Sequence, residues 1–189
     1  MKNLKILSVL LLATALVVLT SSVGAYMRKQ TPTVENVFVP AEVSCEVDEE
    51  VNQNQKTSIT VKNTGNIEAY LRLRLVTYWG VKDQDDKAEI VAESSPTLNV
   101  DYDKNNWFEL NGVYYCKLPV APGESTLDLL DEDKVIELKS NKKDENTTYY
   151  QVVDVFAEAI QSLPEDAVTE AWDGVVVDSD GKLSKKQLN

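Results

Sequence analysis

The residue types that do most chemistry at neutral pH are scarce in this 189-residue chain. It has no histidine and only two cysteines. The absence of histidine removes the commonest general base and the commonest metal ligand. Zinc-hydrolase motifs and Ser-His-Asp or Cys-His arrangements are therefore excluded. What remains is carboxylates, two thiols and a few arginines. Asp83, Asp85 and Asp86 form one acidic cluster, Asp101 and Asp103 a second, and Asp178-Ser179-Asp180-Gly181 a third. Oxygen-rich loops of this kind can hold calcium. The third lacks later ligands and reads better as a hairpin turn, and solvated loops are the simpler reading of all three. No metal or other cofactor is expected. Glu158 stands alone on a strand, with no second carboxylate at a known distance, so the chain is read as a non-enzyme. Arg72 and Arg74, beside Tyr70 and Tyr78, would keep a strand face soluble, meet a ligand carboxylate or support a neighbouring chain.

Cys45 and Cys116 both fall in strand-like segments. One reading is a disulfide closing a loop of about 70 residues, worth roughly 4 kcal/mol in the chain-entropy model. The other is two separate buried thiols. Both are structural.

The elements that would position these residues read as strands. Ile59 and Val61 alternate with polar neighbours. After the turn Asn63-Thr64-Gly65-Asn66, the residues Ala69, Leu71, Leu73 and Leu75 point one way, the period-two signature of a half-buried antiparallel strand. Val43, Cys45 and Val47 repeat the pattern before a polar stretch from Asp48 to Gln55. Asn111-Gly112, between Trp107–Leu110 and Val113–Leu118, predicts a hairpin with a type I′ turn. Pro122-Gly123 marks another turn. Further strands are expected at Ser125–Leu130, Lys134–Leu138, Thr148–Gln161 and Val175–Val177. One short C-terminal helix is expected around residues 163–172, with Ser162 and Glu165 as a capping box, Pro164 in the first turn and Trp172 docking it. Seven to nine short strands predict one all-β, antiparallel β-sandwich of jelly-roll or Ig-like type over residues 26–189.

Residues 1–25 read differently. Lys2 and Lys5 precede the uncharged apolar run Ile6–Leu19, and Val23-Gly24-Ala25 ends in small residues. This predicts a cleavable signal peptide, cut by signal peptidase between Ala25 and Tyr26. The membrane would be met only through that signal, and the mature chain would be secreted. Without Lys2 and Lys5 the balance is 17 basic against 31 acidic residues, a surface that repels nucleic acid and anionic lipid.

The ordered set Val61–Arg72, Trp107–Tyr115, Pro119–Thr126, Val155–Gln161, Ala167-Val168 and Ala171-Trp172 resembles the exported proteins of Gram-positive bacteria that include TasA, the BsaA-type biofilm-matrix proteins and camelysin. Their signals are cut by a specialised signal peptidase, and the leader here looks like theirs. The resemblance implies a jelly-roll-like sandwich and a role at the cell surface or in an extracellular biofilm matrix. Some relatives are described as metallopeptidases, but the missing His-Glu-x-x-His keeps that activity from being carried over. The expectation is a structural or assembly protein that associates with itself or other matrix proteins. Its candidate donor strand is the segment holding Val34, Val37, Phe38 and Val39, which would either join a sheet edge of the next molecule or complete its own sheet. The alternative is an adhesin or ligand-binding β-sandwich module, using loops such as Asp83–Lys87 or Leu98–Asn106.

Overall fold

A computed structural model describes residues 40–82, 88–91, 94–143 and 147–187. The cleavage point Ala25–Tyr26, the donor-strand candidates Val34, Val37, Phe38 and Val39, and the acidic loop of Asp83, Asp85 and Asp86 lie outside them.

Two long antiparallel partners dominate: β3 (Ala69–Lys82) and β9 (Thr148–Gln161), in unbroken register from Ala69↔Gln161 to Gly80↔Tyr150. Their shared period puts Leu71, Leu73 and Leu75 beside Val155, Ala157 and Ala159 on one core face. Full burial of each leucine contributes roughly 1.5–3 kcal/mol. The remaining strands are β1 (Cys45–Asn52), β2 (Gln55–Asn63), β4 (Ala88–Ile90), β5 (Trp107–Leu110), β6 (Val113–Cys116), β7 (Ile136–Glu137), β8 (Ser140–Lys142), β10 (Val175–Val177) and β11 (Leu183–Lys185). The large sheet runs β5-β6-β3-β9-β8, with β4 paired to the far end of β3. A small sheet, β1-β2-β7, supplies Ile59, Val61 and Ile136 to the same buried cluster as Leu71, Leu73 and Trp107. The architecture is therefore all-β and sandwich-like.

The β5–β6 hairpin turns through Asn111 and Gly112, both at positive φ (55° and 77°), as the type I′ reading requires. The polar stretch after Val47 is not a loop. β1 continues to Asn52, and the chain turns only at Gln53-Asn54 before β2. Backbone pairing with β2 holds this strand although most of its side chains are exposed. Conversely, Ser125–Leu130 forms no regular strand. It follows β2 as an irregular partner: the Thr126 and Leu129 amides donate to the Val61 and Ile59 carbonyls. Thr126 Oγ1 and Asp128 Oδ1 accept from the Val61 and Ile59 amides, at 3.0 and 3.1 Å.

The Asn63-Thr64-Gly65-Asn66 turn has a tight mechanical basis. The Asn63 side chain is fully buried, donates to the carbonyls of Ile67 (2.9 Å) and Val120 (2.8 Å), and accepts from the Gly65 amide (3.0 Å). At Gly65 a Cβ would stand 2.4 Å from the Glu42 carbonyl oxygen, so only glycine lets the incoming chain pass.

The opposite face of the large sheet carries a C-terminal cap. Helix α1 (Asp166–Ala171) and the β10–β11 hairpin bury Val168, Trp172, Val175 and Leu183 against Tyr70, Phe108, Val113 and Tyr115. The helix is shorter than expected and the capping box does not form. Glu165 stands at the N-cap without a side-chain bond, and Ser162 Oγ instead donates to Glu68 Oε1 (3.0 Å). Ala171 is exposed, while Trp172 docks as anticipated. No described helix is long and apolar enough to cross a membrane.

Candidate functional site

Among the described residues, the outer edge of β9 is left largely without a strand partner. β8 covers it only at Thr148–Tyr150, and the Gln151 amide makes one further bond, to the Lys139 carbonyl (2.8 Å). Since Gln151 N–H points away from β3, alternation directs the amides of Val153, Val155, Ala157 and Ala159 the same way. No described strand pairs with β9 there. β1, the edge of the small sheet, lies against β9 across the open side of the sandwich. Between them is a cleft of about 800 Å³, floored by β9 residues 150–156 and walled by Glu49, Val51, Lys56 and Leu138.

The cleft is lined by apolar side chains and by polar groups that already have partners. Its apolar lining comes from Val51, Leu138, Val153, Val155 and the exposed Phe156 ring. Its polar groups are largely committed. Lys56, although buried, is ion-paired to Glu49. Gln151 donates to Thr77 Oγ1 (3.0 Å) and accepts from the Lys139 amide (3.2 Å). No group of three acidic or cysteine side chains close enough to hold a metal ion occurs among the described residues. The cleft therefore offers unpaired backbone and apolar walls.

The other candidates fall elsewhere. Cys45 and Cys116 are free thiols. Cys45 is on β1 of the small sheet and Cys116 on β6 of the large one, and both pack on the same buried cluster without being joined. Burial pushes the Cys116 thiol up to about 11. Burial, reinforced by the Glu158 carboxylate, also raises that of Cys45. Asp103 organises a turn rather than a cation site. It accepts from the Asn105 amide (2.8 Å) and from Asn106 Nδ2 (2.5 Å), and its carbonyl accepts from Trp107 N. Burial raises its carboxyl, but the Asn106 and Asn105 hydrogen bonds and nearby Lys117 outweigh this and hold it below the ordinary value. Asp178 accepts from the Asp180 and Lys182 amides, which makes that cluster the expected hairpin turn.

Arg72 is not a solubilising side chain. Its guanidinium lies 4.8 Å from the Trp172 ring centroid and 5.8 Å from that of Tyr115, and pairs with Glu158 at 2.5 Å. Glu158 thus has its partner inside the fold. Only Arg74 remains exposed, as expected of both. Leu98–Tyr102, read as part of a loop, packs Leu98, Val100 and Tyr102 on the core, and Tyr102 meets Tyr114 edge-on at 5.3 Å. Strand periodicity at Leu98, Val100 and Tyr102 was the available signal. Nothing local in the sequence marks the cleft, because an unpaired edge is a property of strand order.

Comparison with protein-family models, with curated proteins and with solved structures found no match to this chain.

Proposed function

We propose that this chain is a secreted, non-enzymatic structural protein of a bacterial cell surface or biofilm matrix, and that it assembles by strand addition. The observation that carries the reading is the free edge of β9 opening on an apolar-walled cleft. An unpaired edge of this length is a template for another strand, and backbone hydrogen bonds would supply affinity while the walls select side chains. The occupant is the segment Tyr26–Val39 of a second copy. It carries alternating and contiguous apolar residues at Val34, Val37, Phe38 and Val39. It also carries Arg28 and Lys29 against one acid, Glu35. The flanking strand β1 is acidic at Glu46, Asp48 and Glu50, while the cleft lining itself balances Glu49 and Asp154 against Lys56 and Lys139. The resemblance to the TasA, BsaA-type and camelysin proteins supports the same setting, with a jelly-roll-like sandwich and release of the donor segment by cleavage at Ala25–Tyr26.

The test compares protein starting at Tyr26 with protein starting at Phe38, by electron microscopy and light scattering over a range of concentrations. The longer form gives filaments and the shorter does not. Filaments from the shorter form would reject the mechanism. Val155→Pro removes an edge amide without breaking the β3 ladder. It lets the variant donate its own segment to wild-type protein while blocking growth onto itself.

A further inference from the structure

Among the described residues, a cap covers only half of the large sheet's outer face. Alternation from Tyr70 and Ile160, which lie under the cap, places Arg72, Arg74, Val76 and Tyr78 of β3 and Glu158, Phe156, Asp154 and Val152 of β9 on that side. The cap ends at the row where Arg72 meets Trp172 and Glu158. Beyond it come the rows Arg74/Phe156, Val76/Asp154, Tyr78/Val152 and Gly80/Tyr150. Phe156 is 55% exposed, Tyr150 41% and Val76 40%. The register is unbroken through all four rows, so the surface is a gently twisted plane about 20 Å long.

We propose that this exposed half-face is a binding platform for a neutral polysaccharide chain, one that shares Tyr150, Asp154 and Phe156 with the rim of the cleft and extends beyond it through Arg74, Val76 and Tyr78. The chemistry is that of sugar recognition. Three aromatic rings, Tyr78, Tyr150 and Phe156, lie along one face and can stack on the C–H faces of successive pyranose rings. Between them stand groups that exchange hydrogen bonds with hydroxyls: the Arg74 guanidinium, the Asp154 carboxylate and the Tyr78 hydroxyl, which already donates to Asp154 Oδ2 at 3.1 Å. One positive and one negative side chain leave the platform balanced. The rest of the chain, at net charge −12, disfavours polyanions and acidic membranes. The three exposed side chains present roughly 300 Å², a patch size that is often functional. A stable interface with a second copy needs about 800 Å² per partner. The platform suits a narrow, flat ligand better than another protein.

Arg74, Val76 and Tyr78 do not line the cleft, so they separate the two sites. Purified protein and the variants Val76→Glu and Tyr78→Ala are run in affinity gels containing hydroxyethylcellulose, laminarin or dextran, and co-sedimented with cellulose and chitin. Wild-type protein should be retarded or pulled down by at least one of these. Both variants should bind at least fivefold more weakly, with filament formation unchanged. Val76→Glu adds charge at an exposed site and keeps the test valid should Tyr78→Ala unfold. Wild-type protein that engages none of the five glycans overturns the proposal, as does equal binding by the variants. A Val76→Glu protein that changes oligomeric mass without changing glycan retention would assign the face to a second copy and overturn it equally.

Discussion

At the scale of single residues, stability concentrates where backbone segments pass too closely for any side chain. Gly65→Ala forces a Cβ onto the Glu42 carbonyl oxygen at 2.4 Å. Relief requires moving backbone, so a loss of about 1–3 kcal/mol is expected. In a chain of this size that lowers the thermal midpoint by about 2–4 °C per kcal/mol. An unchanged midpoint would mean the 42–44 segment does not dock as described. The thiols give a second test. Cys116 has an ordinary value of 9.0, raised by burial to about 11. Folding therefore favours the protonated thiol. Its contribution is whole below pH 9 and is lost as pH rises towards 11. A melting series between pH 8 and 11 should fall more steeply for wild-type protein than for Cys116→Ala, and parallel curves would refute this. At pH 8 a thiol reagent should modify the half-buried Cys45 before the buried Cys116.

At the scale of elements, side chains complete ladders that the backbone leaves unfinished. The Val61 amide is buried and its bond is to Thr126 Oγ1. Thr126→Val keeps the shape and deletes the acceptor, so about 1–3 kcal/mol should be lost, read from denaturant midpoints at unchanged slope. The cap is fastened differently, through Arg72 clamped between Trp172, Tyr115 and Glu158. Arg72→Lys keeps the charge but loses the planar fork and stacking. It should red-shift tryptophan fluorescence and expose the cap to proteolysis before the sandwich. Loss of cap and core in one transition would show that the cap is not a separable element.

At the scale of the whole molecule, the sequence spoke clearly wherever one face of a strand is buried. Leu71, Leu73, Ala157 and Ala159 announce β3 and β9, and Asn111-Gly112 announces its hairpin, because local geometry alone dictates those choices. It was silent or misleading where distant partners decide. Asp48–Asn52 is a strand only because β2 pairs with it, Ser162 abandons the helix for Glu68, and Arg72 finds Trp172 a hundred residues away. The cleft belongs to this second class. Which edge stays open follows from strand order, and no stretch of residues encodes that locally.

The irregular segment Glu124–Leu130 has a further consequence. By occupying the far side of β2 with its amides, Thr126 and Asp128, it removes that strand as a docking point. β5, at the other margin of the large sheet, is four residues long, and β1 is fringed with glutamates. Among the described residues, this leaves the margin of β9 to receive the donor segment proposed above. A polymer grown from such units has a valence of two: it lengthens, it has a polarity, and it does not branch.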